Sequence, residues 1–333
     1  MNVQEDSNTG VERVTLNLDD VKNKAVIHDG QIVAIKGVAE SATVFNAFEI
    51  LTPELPEPEQ PPKQLSGHTS ILFANGPFSF VGSLSYKPLQ ALVTLVKREQ
   101  PHTLILGGPF VDCNNVDVKE GEILLEHNQK LRCMADGELM QHIMCFFEAE
   151  LGDLNTQIVI LPSLADMTSL YPLPQPPLHK GILGKCSDSF KDKVHLFGNP
   201  QEFSIDGIKF ASITTDFFVD TLKNSKYLNT DGTNKVYNIL ESYLNQRHFY
   251  PLYPTTKTVP YDVTKWEHMN VTERPHILLM NSALPPVKAQ NIGGTLCVNS
   301  HTFTAGNLVR QATRITIQDN DKPLLERIRV DNI

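Results

Sequence analysis

Metal, nucleophilic or acid–base chemistry needs carboxylates, imidazoles, thiols or hydroxyls gathered at fixed spacing, and this chain offers few such gatherings. It has eleven histidines and five cysteines. No HxH, HExxH or DxH pattern sets two ligands on one metal. Cys113, Cys133, Cys145, Cys186 and Cys297 are odd in number, widely spaced and free of any CxxC. That spacing indicates neither a disulfide framework nor a zinc knuckle, and points to a reducing compartment. A phosphate-cradling GxxxxGK[ST] and a GxSxG nucleophile elbow are also missing. The donors that remain are Asp112, Asp166 and His301, each in a short loop that follows an apolar run. Asp112 and Asp166 equally suit Asx turns bonded to loop amides, and His301 alone suits a hydrogen-bonded or exposed imidazole. Two fragments imitate metal motifs. Gly67-His68-Thr69-Ser70 precedes its strand instead of following it, and Gly198-Asn199-Pro200 has proline where a histidine is needed, so it reads as a turn. Glu54, Glu57 and Glu59 form a solvated acidic stretch.

The elements that must position these loops follow from the apolar pattern. Residues 1–22 are charged and poor in aromatics, which predicts a flexible acidic arm. A β-rich module is expected at 23–51, with QIVAIKGV (Gln31–Val38) alternating towards a hairpin partner at Ala42–Leu51. TPELPEPEQPPKQLS, residues 52–66, is a proline-rich connector that forbids helix and interior strand. From 67 to 333, short apolar runs alternate with amphipathic segments, the signature of a layered α/β sheet domain. Strands are predicted at Ser70–Ala74, Thr103–Leu106, Gln157–Leu161, Ile208–Ile213, His276–Met280, Thr295–Val298 and Arg314–Ile317. Helical stripes run through Leu89, Leu92, Val93 and Val96, through Leu139, Ile143, Phe146 and Phe147, and through Val236, Ile239, Leu240 and Tyr243. Tyr171–Lys180 and His248–Asp262 read as long irregular loops.

Charge and hydropathy remove several function classes. The 333 residues carry 29 basic and 38 acidic side chains, a net charge of −9. An autonomous nucleic-acid clamp needs a basic face, so any DNA contact is expected to be local or indirect. No apolar run reaches the roughly 18 to 20 residues of a membrane span, and the acidic opening lacks the features of a secretory signal. A single-strand binder would need basic and aromatic residues along a groove. Residues 23–66 hold only Phe45 and Phe48 as aromatics.

The series of strand-exit loops resembles the metallophosphoesterase superfamily of the calcineurin type, whose loops carry DxH, GDxxD, GNHD, a lone His and GHxH. In active members these residues hold two divalent metals. Here the first position falls on Gly76 and Phe78, the second on Gly108-Pro109-Phe110-Val111-Asp112, and the third on Ser163-Leu164-Ala165-Asp166. Two adjacent metals require about eight protein donors between them. Pro109, Leu164 and Ala165 supply none, and Asp112, Asp166 and His301 alone survive. The resemblance therefore implies a catalytically dead site, with no catalytic, cofactor or metal residue.

A second resemblance is more specific. GPFSF…LSYKPL at 76–89, GPFVD at 108–112, LPSLAD at 161–166, YPLPQPP at 171–177, the segment at 199–210 and QRHFYPLYP at 246–254 are similar to the B-subunits of eukaryotic replicative DNA polymerases, of the alpha–primase type. The last block, with Gln246, Arg247, Tyr250, Pro251 and Tyr253, distinguishes that type, and DGQIVAIKGV at 29–38 resembles the final strands of its OB domain. The likeness covers about residues 24–318. It implies a non-catalytic nuclear accessory subunit with a partial OB module before an inactive phosphoesterase domain. Its partner would be the C-terminal zinc domain of the polymerase alpha catalytic subunit, with primase subunits reached through the complex, DNA only indirectly, and no cofactor. Alternatives are a B-subunit of another replicative polymerase, or a residual phosphoesterase using Asp112, Asp166 and His301. The N-terminal helical domain usual in the family is not found, which suggests a fragment or shortened form, and Asn299-Ser300-His301-Thr302 departs from the usual Asn-Pro-Gly. Phe249, Tyr250, Tyr253, Tyr261 and Trp266 concentrate aromatics in one proline-rich region, where they would either anchor a partner or cover the domain's own core.

Overall fold

The computed structural model describes residues 2–7, 10–52, 68–121, 123–127, 130–230, 232–284, 289–318 and 328–332. Strands β1 (Asn2–Ser7), β2 (Gly10–Asn17), β3 (Ala25–His28), β4 (Ala34–Ser41) and β5 (Val44–Leu51) come first. They are followed by β6 (Thr69–Asn75), α1 (Lys87–Glu99), β7 (Thr103–Gly107), α2 (Val116–Glu120), β8 (Leu124–His127), β9 (Lys130–Cys133), α3 (Asp136–Leu151), β10 (Gln157–Leu161), α4 (Asp188–Lys191) and β11 (Val194–Leu196). The remainder is β12 (Gln201–Ile205), β13 (Ile208–Ile213), α5 (Phe217–Asn224), β14 (Ser225–Leu228), α6 (Lys235–Asn245), β15 (Ile277–Met280), β16 (Gln290–Ile292), β17 (Thr295–Asn299), β18 (Thr304–Ala305), β19 (Leu308–Val309), β20 (Thr313–Ile317) and β21 (Ile328–Asn332).

Two mixed sheets form the main domain. One has the order β11-β10-β7-β6-β20-β21, with β6, β7, β10 and β11 parallel. The other has the order β12-β13-β15-β17-β16, with β13, β15 and β17 parallel. Alternation along each strand decides the stacking, because successive side chains leave opposite faces. Ile71, Phe73, Ile105 and Val159 of the first sheet meet Phe210, Ile277, Leu279 and Val298 of the second in a central core. Their neighbours Leu72, Ala74, Leu104 and Ile158 face outward and are covered by the α1 and α3 stripes. On the far side, Ala211, Ile213, Leu278 and Met280 are covered by α5 and α6. The result is helix, sheet, sheet, helix, the layered α/β domain that the sequence pattern predicts. All seven expected strands and all three helical stripes are present.

The N-terminal part differs from expectation. Residues 1–22 are not a free arm, since Thr15–Asn17 of β2 pair in parallel with Val44–Asn46 of β5, and Leu16 is buried. Within β2, Val14 is half-buried and Leu16 buried while Arg13 and Thr15 are exposed, an alternation that turns one face of the strand towards the module. The sheet β1-β2-β5-β4 is open, and β3 leaves it to pair antiparallel with β14 of the main domain, so the described pairing does not close an OB barrel. Beyond Thr52, the connector expected at 52–66 lies outside the described residues.

Module and main domain are therefore joined by main chain. Beside the β3–β14 ladder, Ile32 N–H donates to Gln246 Oε1 (2.8 Å), Gln246 Nε2 returns a bond to Ile32 O (3.0 Å), and Tyr253 N–H donates to Asp29 O (3.0 Å). Gly30 makes this approach possible. Its φ of +83° suits glycine, and a Cβ there would lie 2.5 Å from Tyr253 N. Gly30→Ala should therefore loosen the joint by about 1–2 kcal/mol, read as faster hydrogen exchange at the Tyr253 amide. Unchanged exchange at that amide would contradict this picture of the joint.

Candidate functional site

The strand-exit loops meet at the carboxyl edge of the two sheets, where α/β folds place their chemistry. Their backbones continue the ladder past the strand ends: Gly76 N–H donates to Gly107 O (2.8 Å) and Gly108 N–H to Leu161 O (2.8 Å). Further out, Cys113 N–H bonds Ala165 O (2.9 Å) and Met167 N–H bonds Val111 O (2.9 Å), around a bridge between Asp112 and Asp166. The second and third loops are thus zipped together by main-chain hydrogen bonds.

Each degenerate position has a packing role. Phe78 is fully buried, its ring 5.3 Å from that of Phe110 and 6.0 Å from that of Phe303, so three aromatics plug the edge. Gly76 lies against Pro109 so closely that a Cβ would run into the Pro109 carbonyl. An acidic side chain at Gly76 would have to pry the first two loops apart. Leu164 packs against the α5–α6 core, and Ala165 is half-buried with its carbonyl taken by Cys113.

The three surviving donors are committed elsewhere. Asp166 is buried, and its Oδ2 accepts from Phe110 N–H (2.8 Å) while Oδ1 accepts from Thr168 Oγ1 (2.8 Å) and Val111 N–H (3.3 Å). Desolvation raises its pKa, and these bonds pull it back down. Asp112 Oδ1 accepts from the backbone and side-chain amides of Asn114 (2.9 and 3.0 Å), the Asx turn that its sequence context suggests; burial raises its pKa. His301 has φ +62°, and its Nδ1 accepts from Thr302 N–H (2.7 Å) while the Arg310 guanidinium lies 2.8 Å from the same nitrogen. Burial and that cation lower the imidazole pKa. A guanidinium against the one candidate imidazole would repel a divalent cation. Among the described residues, no group of three or more His, Cys, Asp and Glu side chains is arranged to hold a metal. The residual phosphoesterase reading finds no support in this geometry.

A net of amides and hydroxyls fills the edge, and sequence reasoning missed most of it. Asn75 Nδ2 donates to Ser300 Oγ (2.6 Å), and Asn299 Oδ1 accepts from the amides of Ser282 and His301 (both 3.0 Å). Asn199 Oδ1 accepts from Thr214 N–H (3.0 Å) and its Nδ2 donates to Gln175 Oε1 (2.9 Å), so the Gly198-Asn199-Pro200 turn is a buried brace. Asp216 caps α5 through Val219 N–H (3.0 Å) and also accepts from Ala283 N–H (2.8 Å). The available signal was an asparagine at or just after three parallel strands, Asn75, Asn281 and Asn299.

The family-type loop proves to be largely internal. Gln246 braces the N-terminal module, Arg247 O accepts from Val271 N–H (2.9 Å), and Pro251 is buried. Phe249 and Tyr250 are buried as well, with Tyr250 O–H donating to Asp220 Oδ2 (2.6 Å). Those two aromatics cover the core. Tyr253 and Trp266 instead remain more than half exposed, at 55% and 54%, beside a groove of about 390 Å³ that Tyr261 and His248 also line.

Residues 71–288, which contain the first three exit loops and the family-type loop, match the family of B-subunits of DNA polymerases alpha and epsilon, and the chain belongs to that family. The B-subunit of DNA polymerase alpha from Schizosaccharomyces pombe is 28% identical over 321 residues, covering 92% of this chain and 53% of that protein. The protein of the same name from Mus musculus is 24% identical over 316 residues, covering 94% and 50%. The chain thus spans about half the length of these curated relatives. Among solved structures, Vps29 complexed with zinc from Entamoeba histolytica overlaps 80% of this chain and 98% of its own at 8% identity and a TM-score of 0.30, too low to carry an argument.

One titration follows from the family-type loop. Burial lowers His248 from 6.5 to about 4, and its Nδ1 accepts from Tyr250 N–H (3.1 Å). The unfolded chain takes up this proton below about pH 6.5 while the folded chain refuses it, so stability is present at neutral pH and lost as pH falls towards 4. At about 1.4 kcal/mol per pH unit, the loss approaches about 3 kcal/mol. His248→Asn keeps an acceptor and should flatten that part of the profile in chemical denaturation between pH 7 and pH 4.5. An unaltered slope would contradict the assignment.

Proposed function

We propose that the protein is a non-catalytic accessory subunit of the DNA polymerase alpha complex, working by docking. The observation that carries this reading is the combination of family membership with a carboxyl edge whose loops bond to one another and not to metals. The finer proposal is that the chain grips the C-terminal zinc domain of the catalytic subunit, reaches primase subunits through the complex, contacts DNA only indirectly, and acts in the nucleus during primer synthesis. The net charge of −9 supports indirect contact with DNA. The exposed Tyr253 and Trp266 side chains, which line one groove together with the buried Tyr250 and Leu252, have the character of protein-contact anchors. Among the described residues, no helix is long and apolar enough to cross a membrane.

Mixing the full chain with the C-terminal domain of a polymerase alpha catalytic subunit should give a stoichiometric complex that co-elutes in size-exclusion chromatography. Absence of a complex at about micromolar concentrations, where specific subunit contacts hold, would overturn the scaffold reading.

A further inference from the structure

The opposite end of the sandwich holds a cleft that the accessory role does not use. β11 and β12 are the edge strands of the two sheets, and where they diverge they leave a cavity of about 630 Å³, within the usual size of small-ligand sites. Its floor is a train of rings. His195 lies 6.5 Å from Phe197, Phe197 lies 5.2 Å from Phe203, and Phe203 stacks on the buried Phe210 at 5.4 Å and 7°. Phe197 and Phe203 are only half-buried, so the stack ends at the opening.

The polar lining is rich in donors. Ser70 N–H donates to His102 Nδ1 (3.0 Å), which leaves the proton of the neutral imidazole on Nε2. That tautomer has no lone pair left for a metal, which argues against a cation between His68 and His102 even though their rings are 6.3 Å apart. His195 Nε2–H donates to Gln157 Oε1 (2.9 Å), which spends that imidazole's N–H and leaves the Gln157 amide N–H groups as donors beside Asn155. Asp206 is the one carboxylate of the lining among the described residues, and it accepts from Thr69 Oγ1 at 2.5 Å.

We propose that this cleft binds a small aromatic phosphate, its ring packing against Phe197 and Phe203 and its phosphate oxygens taking the Nε2–H of His102 and the amide N–H groups of Gln157. A flat ring and an acceptor-only head are the complements of these two linings. The ring-plus-phosphate chemistry is shared by nucleoside monophosphates and aryl phosphates. The proposal is independent of the accessory role.

The test is a titration of the full chain with AMP, phenyl phosphate and inorganic phosphate, following the ring signals of His102 and His195 by NMR. Saturable shifts with AMP or phenyl phosphate, clearly tighter than inorganic phosphate, are expected, and the tighter of the two names the source. Phe203→Leu should weaken the aromatic ligand by about fivefold or more, as loss of a stacking ring does, without changing inorganic phosphate binding. Gln157→Leu, which removes the amide donors, should weaken all of the phosphates that bind, and Asp206→Asn should tighten them. No saturable shift, binding of inorganic phosphate as tightly as both aromatic ligands, or indifference to both Phe203→Leu and Gln157→Leu would overturn the proposal.

Discussion

Asp166 is the interaction on which the carboxyl edge depends. A carboxylate withdrawn from water is costly unless hydrogen bonds replace its hydration. Here the amides of Phe110 and Val111 and the hydroxyl of Thr168 supply them. Because the first two donors belong to the second loop and the acceptor to the third, satisfying this charge fixes the two loops against each other. The Asp112–Asp166 bridge, the Gly76–Pro109 contact and the Phe78–Phe110–Phe303 plug then follow as packing around a fixed frame. A residue that could hold a metal in an open site serves here as the bolt of a closed one.

The same economy governs the N-terminal module. Its union with the main domain uses β-ladder pairing and amide bonds around Gln246 and Gly30, not a loose tether. The loop 246–254 is therefore part of the joint between the two parts. Its composition answers to two demands at once, a buried aromatic base at Phe249 and Tyr250 and an exposed rim at Tyr253.

Much of the layering was legible because buried parallel strands must read as apolar runs, and Ile71–Ala74, Leu104–Leu106 and Ile158–Leu161 do so. That the side chains of Pro109, Phe78 and Ala165 offer no metal donor can be read from their types alone. The hydrogen bonds that fill this edge were not legible. Asn75, Asn199 and Asn299 each bond at least one partner 15 or more residues away, and no local pattern announces a bond between Asn75 and Ser300. The arm at 1–22 was misread because its strand is held by pairing with β5, a long-range gain that composition cannot reveal. Tyr253 and Tyr250 looked alike in sequence, and only the approach of Asp220 to the Tyr250 hydroxyl separates a core residue from a rim residue.

The central claim is that the edge is closed by its own hydrogen bonds and does not accept a binuclear metal centre. Equilibrium dialysis of the full chain against Mn²⁺, with bound metal counted by elemental analysis, tests it most directly. A closed edge predicts no saturable binding, and no change when Asp112 is replaced by alanine. Two tightly bound equivalents that disappear in Asp112→Ala would contradict it.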